Sequence, residues 1–108
     1  MGRPKRLTWT TERRRLADLH LQPGNPRRRT ERGEAELRES LRRYDLVDIP
    51  AIDTANVVLG GNQRVDLLMQ AGRGDEEIDV RVPSRPLSER EAQEITLRLN
   101  RNIAGEWD

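Results

Sequence analysis

Along this chain the apolar positions change period several times, and each change marks an element. Leu37, Leu41 and Tyr44 fall at i, i+4 and i+7, the spacing of one helix face, so the pattern predicts a helix over 34–43. Glu39 and Arg43 add an i, i+4 pair in the favoured order, and Asp45 follows where a cap would sit. Ile49-Pro-Ala-Ile-Asp53 and Asn56-Val-Val-Leu59 predict a pair of strands with a short turn near Thr54-Ala55. Pro50 confines the first of these to a sheet edge or to its opening residue. Gly60-Gly61 breaks the second strand, and Asn62 is a good N-cap for the helix that follows. Val65, Leu68 and Met69 make the apolar stripe of that helix, and Gly72 is its stop. Ile78-Asp-Val-Arg-Val82 alternates cleanly and predicts a half-buried strand ended by Pro83. Ser88-x-x-Glu91 is a capping box, and Ala92, Ile95, Leu99 and Ile103 line one side of a helix running to about Asn102.

The N-terminal third is less periodic. Residues 1–15 read as a flexible basic arm, and 16–108 as the domain proper. Leu16-Ala-Asp-Leu-His-Leu21 partly alternates and predicts a short first strand. Gln22-Pro-Gly-Asn-Pro-Arg27 is loop chemistry, because its prolines and glycine oppose helix and ladder alike. The resulting order is strand, loop, helix, strand, strand, glycine turn, helix, strand, helix. It predicts an α+β domain with a small mixed β-sheet and about three helices.

Composition narrows the chemistry. The chain has 108 residues, 36% charged and 33% hydrophobic, with no Phe, two Trp and one Tyr, enough for one small core. No stretch approaches the roughly 20 apolar residues of a membrane span, and no apolar segment of a secretory leader follows the start. We therefore expect a cytoplasmic protein with no membrane partner. The absence of Cys excludes disulfides, thiolate zinc sites and thiol chemistry. A single histidine, His20, excludes a multi-histidine metal site and leaves a Ser-His-Asp triad without a good basis. Any chemistry must come from Arg, carboxylates, amides, hydroxyls and backbone.

Charge is distributed unevenly. Residues 1–32 hold ten basic side chains against three acidic ones, a balance of +7, so a chain of net +1 carries −6 over the remainder. All but one of the cations are Arg, whose planar fork grips phosphate in a bidentate way. Arg13, Arg14, Arg15, Arg28 and Arg29 are thus candidate contacts to a polyanion such as DNA. A solvated surface is the alternative for the same residues.

The most informative stretch is Val57-Val-Leu-Gly-Gly-Asn-Gln-Arg64, a strand running through two glycines straight into a helix. Glycine lets backbone approach a ligand closely, and the first helical amides with the helix dipole favour an anion, phosphate above all. Gly60, Gly61, Asn62, Gln63 and Arg64 are the candidate phosphate-binding set, with Arg64 closing a bidentate contact. The spacing is neither that of a P-loop nor that of a dinucleotide fold, and a tight strand-to-helix connection is the alternative. For Asn62, capping the helix is preferred to touching the ligand.

These residues resemble a known superfamily. Gly60-Gly-Asn-Gln-Arg64 is similar to the Gly-Gly-Cys-His-Arg phosphate loop of sulfiredoxins and to the Gly-Glu-Arg-Arg box of ParB N-terminal domains. Asp18-Leu to Asn25-Pro-Arg27 resembles the opening "DL…NPR" box, and Glu36-Leu-Arg-Glu-Ser-Leu41 the "L-x-x-S-I/L" helix. Leu97-Arg-Leu-Asn100-Arg-Asn-Ile-Ala-Gly-Glu-Trp-Asp108 resembles the "LN…GEWD" ending of a phage and prophage branch. The four segments occur in the family's order over residues 16–108.

The resemblance implies a ParB/sulfiredoxin-like fold and a nucleoside triphosphate, CTP or ATP, bound through Gly60, Gly61 and Arg64. Asn25 and Arg27 would flank the nucleotide, and Asn100 would help hold Mg2+. It also implies DNA as a partner through the Arg-rich N-terminal third, a fused or associated DNA methyltransferase, a homodimer, and a place in phage or mobile-element DNA metabolism. An NTPase or a metal-dependent nuclease is the enzymatic alternative, and a non-catalytic targeting module of a methyltransferase is the third reading. Two departures bear on hydrolysis: Leu99 stands where nucleotide-hydrolysing ParB proteins carry Glu, and Ile103 where they carry Arg. Sulfinic acid reduction is excluded because Asn62 replaces the required Cys. No helix-turn-helix follows within the chain, which argues against sequence-specific reading of DNA. The chain's end at the Gly105-Glu-Trp-Asp108 box points to a domain of something longer.

The remaining candidates have simpler readings. Glu91, Glu94 and Asp66 are possible magnesium ligands, but Glu91 fits a capping box and Glu94 a solvated helix face. Asp75-Glu76-Glu77 reads as a solvated turn, and His20 as a packed or surface residue. Trp107 is expected to anchor the tail, with base stacking as its alternative, and Trp9 has a stacking role on nucleic acid open to it.

Overall fold

The computed structural model describes residues 6–22 and 31–107, with side chains through Leu99. Four strands form one mixed sheet: β1 (Trp9–Arg15), β2 (Ala51–Ile52), β3 (Val58–Gly60) and β4 (Glu77–Pro83), in the order β1-β4-β2-β3. Three helices, α1 (Glu31–Tyr44), α2 (Asn62–Gln70) and α3 (Glu89–Trp107), complete the α+β architecture predicted from the pattern. Among the described residues no helix is long and apolar enough to cross a membrane.

β4 is the spine. Its alternation buries Ile78, Val80 and Val82 on one face and leaves Asp79 and Arg81 half-buried on the other. β1 runs antiparallel to it, from Trp9 opposite Pro83 to Arg15 opposite Glu77. On its other side β4 takes β2 in parallel, Ala51 opposite Arg81. Pro50 stands just ahead of β2, where its missing N–H costs nothing and its carbonyl accepts from Arg81 N–H at 2.8 Å. β2 returns antiparallel as β3 around a turn built by Asp53, whose Oδ1 accepts from the N–H groups of Ala55 at 2.8 Å and Val57 at 2.9 Å.

β1 corrects the expected flexible arm over 9–15. The strand carries no apolar alternation: the face it shares with Ile78, Val80 and Val82 is Arg14, Glu12 and Thr10. It is held instead by its ladder and by cross-strand charge. Arg13 reaches Asp79 Oδ1 at 3.2 Å and donates to the Glu77 carbonyl at 2.9 Å, while half-buried Arg14 donates to Asn56 Oδ1 at 3.4 Å. The expected strand at Leu16–Leu21 is a 3-10 turn over Leu16–Asp18 and a single parallel bridge from His20 to Val57. The apolar spacing there serves Leu16 and Leu19, both buried.

The core lies between one sheet face and the α1–α2 side. Leu41 from α1 and Val65, Leu67 and Leu68 from α2 meet Ile52, Val58 and the β4 residues there, with Leu16 and Leu19 below and Leu37 packed against the edge. Three expectations shift. Tyr44 is 62% exposed, beside Arg43 whose guanidinium lies 5.1 Å from the ring centroid. Glu39 pairs with Arg42 at 2.6 Å rather than with Arg43. In α2 Val65 and Leu68 are buried as expected, but Leu67 joins them in place of Met69, which is exposed. Both helix stops hold. Asp45 takes φ 59 with its N–H on Leu41 O, and Gly72 takes φ 79, with Gly72 N–H on Met69 O and Arg73 N–H on Leu68 O.

α3 starts as the capping box predicts. Glu91 N–H donates to Ser88 Oγ at 3.1 Å, and Ser88 N–H donates to Glu91 Oε1 at 2.9 Å. Arg85 adds a bidentate grip on Glu91, both contacts 2.9 Å. From this start α3 runs along β3, the strand that leads into the glycine turn.

Candidate functional site

Buried β3 delivers the chain to Gly60, and two residues later α2 has begun. The reversal depends on Gly61, which takes the left-handed φ of 94 that side chains rarely tolerate. A Cβ there would also sit 3.2 Å from Pro50 Cα. Gly60 is needed for space instead: a Cβ at Gly60 would lie 2.6 Å from Leu99 Cδ1 and 3.1 Å from Leu99 Cβ. One glycine makes the turn and the other admits α3.

Gly61, not Asn62, is the N-cap of α2, which corrects the predicted cap. Glycine has no side chain to close the helix start, so no side-chain cap bond is present. Asn62 occupies the first helical position and spends its amide elsewhere. Its Oδ1 accepts from Gln22 N–H at 3.3 Å, and its Nδ2 donates to Val58 O at 3.4 Å. Gln63 follows it, half-buried. Arg64 lies in the first turn with 26% of its side chain exposed and Asp48 Oδ2 3.7 Å from its guanidinium. Positive helix-dipole end, uncapped start and guanidinium converge on one small surface. Such an arrangement has the donors and the charge to accept an anion.

Two residues that sequence reasoning missed frame this surface. Gln22 Nε2 donates to Val58 O at 3.0 Å and to Thr96 Oγ1 at 2.9 Å, joining the β1–α1 connection to β3 and α3. Gln22 directly precedes the Pro-Gly-Asn-Pro-Arg segment, and that position was the one signal available for it. Asp48 is marked by nothing in the sequence. Asn25, Arg27, Arg28 and Arg29, and the side chain of Asn100, lie outside the described residues.

The other candidates do not gather at the turn. Glu91 belongs to the capping box, Glu94 pairs with Arg98 at 3.2 Å, and Asp66 accepts from Gln70 Nε2 at 3.1 Å. Among the described residues no group of three or more His, Cys, Asp or Glu is placed to hold a metal. Asp75, Glu76 and Glu77 answer Arg15, Arg73 and Arg13 respectively. Arg13, Arg14 and Arg15 are therefore already engaged by carboxylates rather than presented as a bare row. His20 is exposed, and its role is in the backbone: its N–H donates to Asn56 O, and its carbonyl accepts from Val58 N–H.

Hydrogen bonding with Arg85, then with the Ser88 backbone, holds the Glu91 carboxyl down to about 2 from an ordinary 4.5. Glu76 and Glu39 are lowered too, mainly by hydrogen bonds from Arg73 and Arg42. None of these groups borders the glycine turn. Their shifts report structural pairs.

No protein-family model and no curated protein matches the sequence. Solved structures do match. A pNOB8-like ParB-N domain superposes with a TM-score of 0.70 at 19% identity, over 90% of this chain and 39% of that one. The fold is that of ParB N-terminal domains. The C-terminally truncated chromosome-partitioning ParB from Caulobacter crescentus, complexed with CTP-gamma-S, gives a TM-score of 0.67 at 21% identity, over 84% of this chain and 52% of that one. A second structure of a pNOB8-like ParB N-domain gives 0.69 at 18% identity, over 93% of this chain and 37% of that one. This chain thus spans between about a third and a half of the length of these ParB neighbours.

Proposed function

We propose that this ParB-like domain binds a nucleoside triphosphate, CTP before ATP, by its phosphate chain at the β3–α2 turn, in service of a DNA-associated process of a phage or mobile element. The observation that carries the reading is the turn itself: a left-handed Gly61 opens α2 without a side-chain cap, and Arg64 stands in the first turn. The donor set fits polyphosphate, since it consists of backbone amides and a guanidinium. The Caulobacter neighbour holds a CTP analogue, which supports the choice of base. Asn25 and Arg27 complete the nucleotide contacts in this reading, and Asn100 assists Mg2+. Arg28 and Arg29 supply DNA contacts. Arg13–Arg15 join them by exchanging exposed carboxylate partners for phosphates, an exchange made easy by the weakness of exposed pairs. A homodimer and an associated methyltransferase belong to the same proposal. No observation favours the nuclease reading over this one.

Calorimetric titration of CTP, ATP and GTP with Mg2+ tests the site. Saturable binding by the wild type and a loss of at least tenfold in Arg64→Ala, about 1.4 kcal/mol, are expected. A folded wild type that binds none of the three refutes the proposal, and the glycine turn is then a tight connection only. Steep loss of DNA affinity with rising salt, measured separately, checks the arginine contacts.

A further inference from the structure

An asparagine at the N-cap turns its side-chain oxygen onto the amides of the first turn. Asn62 stands one residue past the Gly61 N-cap and commits its amide elsewhere. Its Oδ1 takes the N–H of Gln22, forty residues away, and its Nδ2 points to Val58 O. The Asn62 amide is thereby committed to Gln22 and Val58 rather than to the first-turn amides of α2. Gln22 closes the arrangement, because its Nε2 donates to the same Val58 carbonyl and to Thr96 Oγ1. Thr96 uses its own proton on Ala92 O at 2.8 Å, which leaves its oxygen as an acceptor for Gln22. Every bond in this set has one consistent donor and acceptor. Gln22, Val58 and Asn62 form a closed cycle, and Thr96 ties the cycle to α3. The groups are half-buried, where an unmade bond costs more than it does in water.

We propose that Gln22, Asn62 and Thr96 are positioning residues for the phosphate site: the cycle holds the Asn62 amide away from the helix start and fixes β3, α2 and α3 in the relation that presents the turn to a ligand. The proposal rests on the reading of the β3–α2 turn as a phosphate site. None of the three residues need touch the ligand. Thr96 acts only through Gln22, and that makes it the discriminating position.

The test uses the full chain, inorganic tripolyphosphate and Mg2+-CTP as probes, and calorimetry at a temperature where circular dichroism shows each variant fully folded. Gln22→Leu removes both side-chain bonds of the hub, to Val58 O and Thr96 Oγ1, while its N–H on Asn62 is kept, and is expected to weaken both probes about tenfold, the scale of one to two lost hydrogen bonds. Thr96→Val deletes the acceptor and is expected to weaken both about threefold to tenfold, while Thr96→Ser keeps the oxygen and stays within about twofold of the wild type. If Gln22→Leu does not fold, the Thr96 pair decides alone. Variants that lower the melting temperature but bind like the wild type overturn the proposal, since the cycle is then structural only. If Thr96→Val weakens binding and Thr96→Ser weakens it equally, the hydroxyl is not the determinant and the proposal also fails. A wild type that binds neither probe, or an Arg64→Ala variant that binds as well as the wild type, overturns the site itself and this inference with it. By contrast, loss in Arg64→Ala together with unchanged Thr96→Val binding retires only the positioning role.

Discussion

Gly60→Ala is the sharpest probe of how α3 is seated on the strand that feeds the site. The new Cβ would meet Leu99 at three atoms: Cδ1 at 2.6 Å, Cβ at 3.1 Å and Cγ at 3.3 Å. Comfortable carbon contacts lie near 3.5–4.0 Å. The Cδ1 tip can swing away, but Leu99 Cβ moves only with the α3 backbone, so the helix must shift by several tenths of an ångström. Overpacking of this kind costs about 1–3 kcal/mol. Loss of glycine's freedom in the unfolded chain returns about 0.4–1 kcal/mol. The net expectation is a destabilisation of about 1–2 kcal/mol. For a domain of nearly this size that lowers the melting temperature by about 4–16 °C.

A double-mutant cycle isolates the contact. Leu99→Ala removes the Cδ1 and Cγ contacts but keeps the Cβ at 3.1 Å, so Gly60→Ala should cost less in that background without becoming neutral. Urea denaturation followed by circular dichroism supplies the four free energies, with a coupling of about 0.5–1 kcal/mol expected and unchanged m-values. Equal costs of Gly60→Ala in both backgrounds would refute the claim that this glycine exists to admit Leu99.

Two further substitutions read the backbone and the capping network. Gly61→Ala and Gly72→Ala both force alanine into a left-handed φ, a cost of about 1–2 kcal/mol each. Only Gly61 also meets backbone, Pro50 Cα at 3.2 Å, so thermal melts should rank Gly61→Ala below Gly72→Ala; the reverse order would deny the Pro50 contact. Glu91, held at about 2 when folded against 4.5 unperturbed, contributes its full stabilisation above pH 4.5 and loses it as pH falls towards 2. The melting-temperature gap between wild type and Glu91→Gln should therefore be constant above about pH 5.5 and shrink steadily from pH 4.5 to 2. A gap that does not change over that window would show that the Arg85 grip does not act through the ionised carboxylate.

What the chain discloses in advance follows the distance over which each residue's partner lies. The start of α3 was readable because Ser88 and Glu91 satisfy each other within one turn. β4 was readable because period-2 alternation is itself the burial pattern. Gly60-Gly61 was readable as special because a left-handed turn and a close helix approach both exclude side chains, whatever surrounds them. β1 was not, since its stability lies in Asp79 and Glu77, more than sixty residues on, and its core-side face is polar. Asn62 shows the same limit within the site. Its residue type predicts a cap, but the left-handed Gly61 takes the N-cap position and Asn62 bonds a donor forty residues earlier, and no window of sequence around Asn62 contains Gln22. Asp48 and Thr96 were invisible for the same reason, being ordinary residues placed by tertiary contact. The sequence therefore located the glycine turn by its backbone requirement and left out the side chains packed around it. The nucleotide titration of the wild type and Arg64→Ala is where a phosphate-binding turn and a tight connection part experimentally, and the Gln22–Asn62–Thr96 set then tests how such a turn is held.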